Sequence, residues 1–322
     1  MSTGEDHLQA TQIAMNSNDL PGTLRLYADL GFQNAGGHMI WGDSMAIQGL
    51  PHSSRGIMWW LTGRQARFQL EIFHITEPPQ RPLPSDWRCS DLGWTRFGIA
   101  VPDYDAAKTV LAKWNVTVKE AATGGGPRRL VFRDPFVGCF VEIFEDHDSI
   151  VGGRALRDFN AGPAVVYVTM SVSDLAGART YYNKILGQRV DDGMAIHAPE
   201  DEALWGLAGA RSESFVVAGG PMLVEVVQYL DPIGRPQPLN HTVGDQGILN
   251  IAMFSHAPDI ALAAIERARA LGYKTGTTIT MGEACGAYIL EPEREVEVGS
   301  LPASLEAAFG YAPSTPFFGQ AH

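Results

Sequence analysis

Three cysteines in 322 residues, Cys89, Cys139 and Cys285, are too few and too scattered for a disulfide framework or a cysteine-rich zinc site. Runs of basic residues are missing as well. The formal net charge is -12, and without a concentrated positive surface neither nucleic acid nor an anionic membrane is an expected partner. No apolar run approaches the roughly 20 residues of a membrane span. The opening segment MSTGEDHLQATQIAMNSNDL has no basic stretch followed by an apolar core, so a cytoplasmic location is expected. None of the nine histidines stands in an HxH or HExxH pattern, and the chain carries no local metal motif.

What the sequence does contain is repetition. Landmarks recur at an offset of 154 or 155 residues although the residues between them have diverged. Asp19-Leu20 precedes PGTLRLYADLGF, and Asp174-Leu175 precedes AGARTYYNKILGQ. The segment DLGWTRFGIAV starts at Asp91 and DQGILNIAMF at Asp245, with helices expected to open at Asp105 and Asp259. Four strands end in a Glu flanked by aliphatics: QLEIF with Glu71, FVEIF with Glu142, LVEVV with Glu225 and EVEVG with Glu297. An ordered set of matches at one offset argues for a duplicated unit, with the boundary near Gly152 to Gly162. Each half divides again into a strand, a helix with apolar residues at helical spacing, and several strands ending in the Glu strand. The expected fold is therefore α+β, built from four βαβββ modules. The three strands after each helix are too close together for crossovers, which favours cupped, mainly antiparallel sheets.

These features, with DL…Y…LGF after the first strand and FRDPFVGCFVEIFE closing the second module, resemble the vicinal oxygen chelate superfamily, which includes glyoxalase I, bleomycin-resistance proteins and extradiol dioxygenases. The resemblance covers almost the whole chain as two tandem domains, 1–152 and 153–322, each of two modules. It implies a cup in which a divalent metal is held by residues of the first and last strands. Carried onto this sequence, the first-strand positions are Gln12, Arg96, Tyr167 and Asn250, and the last-strand positions are Glu71, Glu142, Glu225 and Glu297. Because side chains alternate along a strand, Glu142 is expected to face the cavity with Phe140 and Phe144, while Val141 and Ile143 pack against helices.

No first-strand position is His, and an Arg has no lone pair to give a metal. The N-terminal domain would offer Gln12, Glu71, Arg96 and Glu142, with the Arg96 guanidinium bridging the two carboxylates. No cofactor is expected. The reading that follows is a glyoxalase- or dioxygenase-like enzyme of small-molecule metabolism, an isomerase or lyase acting on an aromatic or polycyclic carbonyl compound. Glu142 and Glu71 would transfer protons, with Arg96 and Gln12 completing the catalytic group. Trp59, Phe140, Tyr167, Glu225, Asn250 and Glu297 are the substrate-binding candidates. Trp59 and Trp60 are adjacent, so only one of them can face the cavity from a strand. His38 and His197 sit near strand or loop elements within reach of a cavity, and His74 has the opposite parity to Glu71, but with no metal pattern each histidine is expected to be a lone surface or packed residue. Two alternatives stay open: a metal-free binding protein of bleomycin-resistance type, and a dioxygenase or glyoxalase with Fe, Mn, Zn or Ni in an atypical shell of Gln12, Glu71 and Glu142. The expected partner is an apolar or aromatic small molecule, and the chain a monomer or homodimer.

Overall fold

The computed structural model describes residues 7–121, 127–147, 162–194, 196–218, 220–291, 293 and 295–314. The expected boundary between tandem domains lies outside the described residues. Module one comprises β1 (Gln9–Asn16), α1 (Leu20–Asp29), β2 (Gln33–Trp41), β3 (Arg55–Thr62) and β4 (Gln69–Glu77). Module two runs through β5 (Gly93–Val101), α2 (Tyr104–Lys113), β6 (Val118–Glu120), β7 (Arg129–Arg133) and β8 (Phe140–Glu145). Module three has β9 (Ala164–Ser171), α3 (Leu175–Thr180), β10 (Val190–Asp191), β11 (Arg211–Ala218) and β12 (Leu223–Asp231). Module four has β13 (Gly247–Ser255), α4 (Pro258–Ala270), β14 (Ile279–Met281), β15 (Ala284–Ile289) and β16 (Val296–Ser300).

The repeated aspartates act at the helix starts. Asp19, Asp103 and Asp174 each accept a hydrogen bond from a backbone N–H three residues on, at 3.0, 2.9 and 3.0 Å, and so satisfy one orphan donor of the first turn. Asp105 and Asp259 lie inside the first turns of α2 and α4 rather than at the caps. In α1 the buried residues Leu20, Leu24 and Tyr27 form one stripe. They join a core that includes Ile13, Phe97, Val141, Ile143, Val168 and Ile251. Full burial of a Leu, Val or Ile side chain stabilises the fold by roughly 1.5–3 kcal/mol, so this shared convex-side core holds helices and sheets together.

The described strands form two eight-stranded sheets, ordered β14-β15-β16-β13-β1-β4-β3-β2 and β10-β11-β12-β9-β5-β8-β7-β6. Parallel pairing is confined, among the described residues, to the first and last strands of each module; the remaining pairs are antiparallel. The two sheets join module one to module four through β1 and β13, and module two to module three through β5 and β9. The cups therefore do not follow the expected grouping of modules one with two and three with four. Repeat spacing is the same whichever modules pair, so the sequence carries no signal that separates the two arrangements.

Candidate functional site

Strand register brings the repeated acids onto equivalent ground. Glu71 pairs with Ala14, Glu142 with Gly98, Glu225 with Thr169 and Glu297 with Ala252. In every module the inferred first-strand position, Gln12, Arg96, Tyr167 or Asn250, lies two residues before that partner and so on the same face. Because the modules pair one with four, one cup receives Gln12, Glu71, Asn250 and Glu297. The other receives Arg96, Glu142, Tyr167 and Glu225. The group of Gln12, Glu71, Arg96 and Glu142 is thus divided between two sheets, and the alternative metal shell of Gln12, Glu71 and Glu142 is not assembled.

The cup of modules two and three is filled by its own polypeptide. Arg96 does not bridge Glu71 and Glu142; its Nη2 donates to Glu225 at 3.2 Å and its Nη1 to the Tyr229 hydroxyl at 3.0 Å. Its guanidinium also lies 4.8 Å from the Trp205 ring centroid. The His197 side chain, 3% exposed, sits between two acids, with Nε2 2.9 Å from Glu142 and Nδ1 3.2 Å from Glu225. Glu142 further accepts from the Tyr167 hydroxyl at 2.6 Å and from Arg129 Nε at 2.7 Å. Gly98 permits this: a Cβ there would come 2.1 Å from the Tyr167 ring that crosses it. Trp205, Leu204 and Leu207 pack with Cys89, Val131, Tyr229 and Phe140. Burial alone would lower the His197 pKa, but the charges of Glu225 and Glu142 outweigh it and raise it to about 9. Burial would likewise raise both glutamates, yet His197 and the arginines hold them below the usual carboxylate range. Every acid here has its cation. The ion pairs tie the cup together, although Arg129 Nη2 and Trp205 Nε1 are buried without a hydrogen-bond partner.

The cup of modules one and four is different. It encloses a cavity of about 410 Å³, within the usual size of small-ligand sites. Its walls include Trp60, Phe73, Phe254, Tyr288 and Tyr311, and among the described residues no Lys or Arg lines it. Trp60 and not Trp59 faces the cavity, because Trp60 is the residue that pairs with Glu71. Trp59 turns to the opposite side, where its Nε1 donates to Asn34 at 2.6 Å. Phe140 lies in the other cup, edge-on to Trp205. His38 lines this cavity, meets Trp60 edge-on at 5.4 Å, and has its pKa lowered by burial.

The two acids of this cup are held unequally. Glu71 is 6% exposed and saturated: Trp60 Nε1 donates to Oε1 at 3.0 Å and Gln12 Nε2 to Oε2 at 2.6 Å. The Gln12 and Gln69 amides are 2.8 Å apart, which ties this chain to the strand floor. Glu297 is partly exposed to the cavity and is hydrogen-bonded by the Tyr288 hydroxyl. Asn250 is the register counterpart of Gln12 but one methylene shorter, and both its amide atoms are buried without a partner. No amide therefore caps Glu297 as Gln12 caps Glu71. Burial, and then the charge of Glu297, push Glu71 up to about 8; burial pushes Glu297 up to about 7. With these values the pair passes through a singly protonated state between about pH 7 and 8.

The geometry defines a cupped-sheet protein with one filled cup and one open, acidic, aromatic-walled cup. No family model matches the chain, and no curated protein matches it in sequence. Its fold does match solved structures. A candidate dioxygenase from Bacillus subtilis aligns with a TM-score of 0.63 and 13% identity, covering 98% of this chain and 93% of that one. Glyoxalase I from Zea mays aligns with a TM-score of 0.57 and 15% identity, covering 92% and 93%. The chain shares the fold of these structures, built from four repeated modules as the spacing implied.

Neither cup's side chains suit the divalent metal that the resemblance implies. In the filled cup the donor positions hold a guanidinium and a phenol, and both imidazole nitrogens of His197 are turned to carboxylates. In the open cup no first- or last-strand position offers an imidazole, both Glu71 oxygens are engaged, and the Asn250 amide meets no acid. Neither set fits the imidazole-containing shells that hold iron, zinc or nickel. Among the described residues no helix is long and apolar enough to cross a membrane.

Proposed function

We propose that the protein is a glyoxalase- or dioxygenase-like small-molecule enzyme that catalyses proton transfer next to a carbonyl group, as an isomerase or lyase, in the cup of modules one and four. The observation that carries this reading is the pair Glu71 and Glu297, poised near neutrality in an aromatic-walled cavity that no Lys or Arg lines among the described residues. A base is most effective when its pKa lies near the working pH. Glu297, exposed to the cavity and uncapped, takes the proton from carbon and returns it to the product. Glu71, locked by Trp60 and Gln12, keeps the pair from carrying two negative charges, so it is a positioning residue. Tyr288 sits beside Glu297 and orients it. The rings of Trp60, Phe254 and Tyr311 exclude water and favour a flat apolar substrate.

Glu142, Arg96, Tyr167 and Glu225 take no part in this reaction, since their polar atoms are committed to one another. Exchange of carbon-bound hydrogen for deuterium, followed by NMR across a panel of apolar ketones and enones, tests the reading. The wild type exchanges at least one panel member, Glu297→Gln loses that exchange, and Tyr167→Phe in the filled cup keeps it. Exchange that survives in Glu297→Gln but is lost in Tyr167→Phe would move the chemistry to the other cup.

A further inference from the structure

The two cups occupy equivalent places in the fold and treat charge in opposite ways. In the filled cup, Arg96, Arg129 and His197 stand against Glu142 and Glu225 within 3.2 Å. In the open cup the equivalent acids, Glu71 and Glu297, face a cavity that no Lys or Arg lines among the described residues. Arg67 is not among the lining residues and pairs with Glu306 at 3.3 Å. His38, the imidazole in the wall, lies against Trp60 rather than against an acid. Buried charges in proteins are normally paired. Here no basic side chain among the described residues of the lining supplies that pairing, and the aromatic faces in the wall attract cations and tolerate neutral groups.

Resting on the reading of this cup as the reactive site, we propose that it selects its substrate by charge. It takes a flat apolar compound that is neutral or bears a protonated nitrogen, and it rejects compounds bearing a carboxylate or phosphate. An anionic group entering the cavity would meet an acid pair that already carries a negative charge, with no basic side chain among the described lining residues to balance it. Separations of about 4–6 Å in a partly desolvated site make such a juxtaposition costly. The floor of the cup thus excludes acid-tagged carriers and thioesters of phosphorylated cofactors wherever their charged portion must enter.

Calorimetric titration at pH 7 with three naphthalenes of one skeleton tests this: 2-naphthylmethylamine, 2-acetonaphthone and 2-naphthoate. The ketone and the amine are expected to bind on the order of tenfold or more tighter than the carboxylate. In the Glu71→Gln/Glu297→Gln double variant, checked for folding by thermal melting, the amine-to-carboxylate ratio is expected to fall toward unity. Naphthoate binding as tightly as the ketone in the wild type would overturn the charge inference and leave the reactive cup standing, as would a ratio unmoved in a folded double variant. Failure of all three to bind would remove the cup as a ligand site and the proposed function with it.

Discussion

Replacing His197 with Gln probes the filled cup where its energetics are most legible. The imidazole bridges Glu142 and Glu225, and its side chain is 3% exposed, so solvent does little to screen it. Raising its pKa from 6.5 to about 9 corresponds to about 3 kcal/mol of preferential stabilisation of the charged ring in the folded chain. Because the folded value lies above the unfolded one, this contribution is fully present below about pH 6.5 and disappears as pH rises through about 9. In the variant, Glu142 still has Arg129 and Tyr167, and Glu225 still has Arg96 and Thr169. The loss is therefore that of the imidazolium and not of a wholly orphaned acid. Urea unfolding at pH 6 and at pH 9.5 should show His197→Gln less stable than wild type by about 3 kcal/mol at the lower pH, with a clearly smaller gap at the higher one. Equal gaps at both values, or a variant as stable as wild type at pH 6, would refute the buried imidazolium.

Asn250→Gln should place an amide against Glu297 as Gln12 does against Glu71, and slow proton transfer by about tenfold or more while thermal melting shows a folded protein with at most about 1–3 kcal/mol of overpacking cost. The rate of exchange should follow a bell in pH centred between about 7 and 8, because the reactive form is the pair with a single proton; a rate rising without a turnover up to pH 10 would contradict the shared proton. Asp19→Ala removes the cap of α1 and should cost about 1 kcal/mol by urea unfolding, with Asp105→Ala, exposed inside its first turn, costing less.

Spacing made the four modules and the eight strand positions readable, since a constant offset survives divergence of the residues between. The register carries this down to single pairs: Ala14 with Glu71 and Ala252 with Glu297 are the same step in different modules. Three things were hidden. Pairing of module one with module four leaves no mark on spacing, and it transferred Glu142 and Arg96 to a cup that is not the open one. His197 arrives from a connection between strands, with no period to fix which acids it meets. Trp60 rather than Trp59 reaches the cavity because register fixes the face, and adjacent tryptophans read alike until a partner strand is known. The shorter amide of Asn250 was visible in the sequence, but its consequence, an uncapped Glu297, required knowing that Gln12 and Asn250 share one cup.

The most direct measurement is a crystal structure of the protein soaked with an apolar aromatic ketone that undergoes exchange. The ligand is expected between Trp60 and Tyr288 with its carbonyl-adjacent carbon against Glu297, and His197 still seated between Glu142 and Glu225. Density for the ketone in place of His197, with the cup of Glu71 and Glu297 holding none, would contradict this placement.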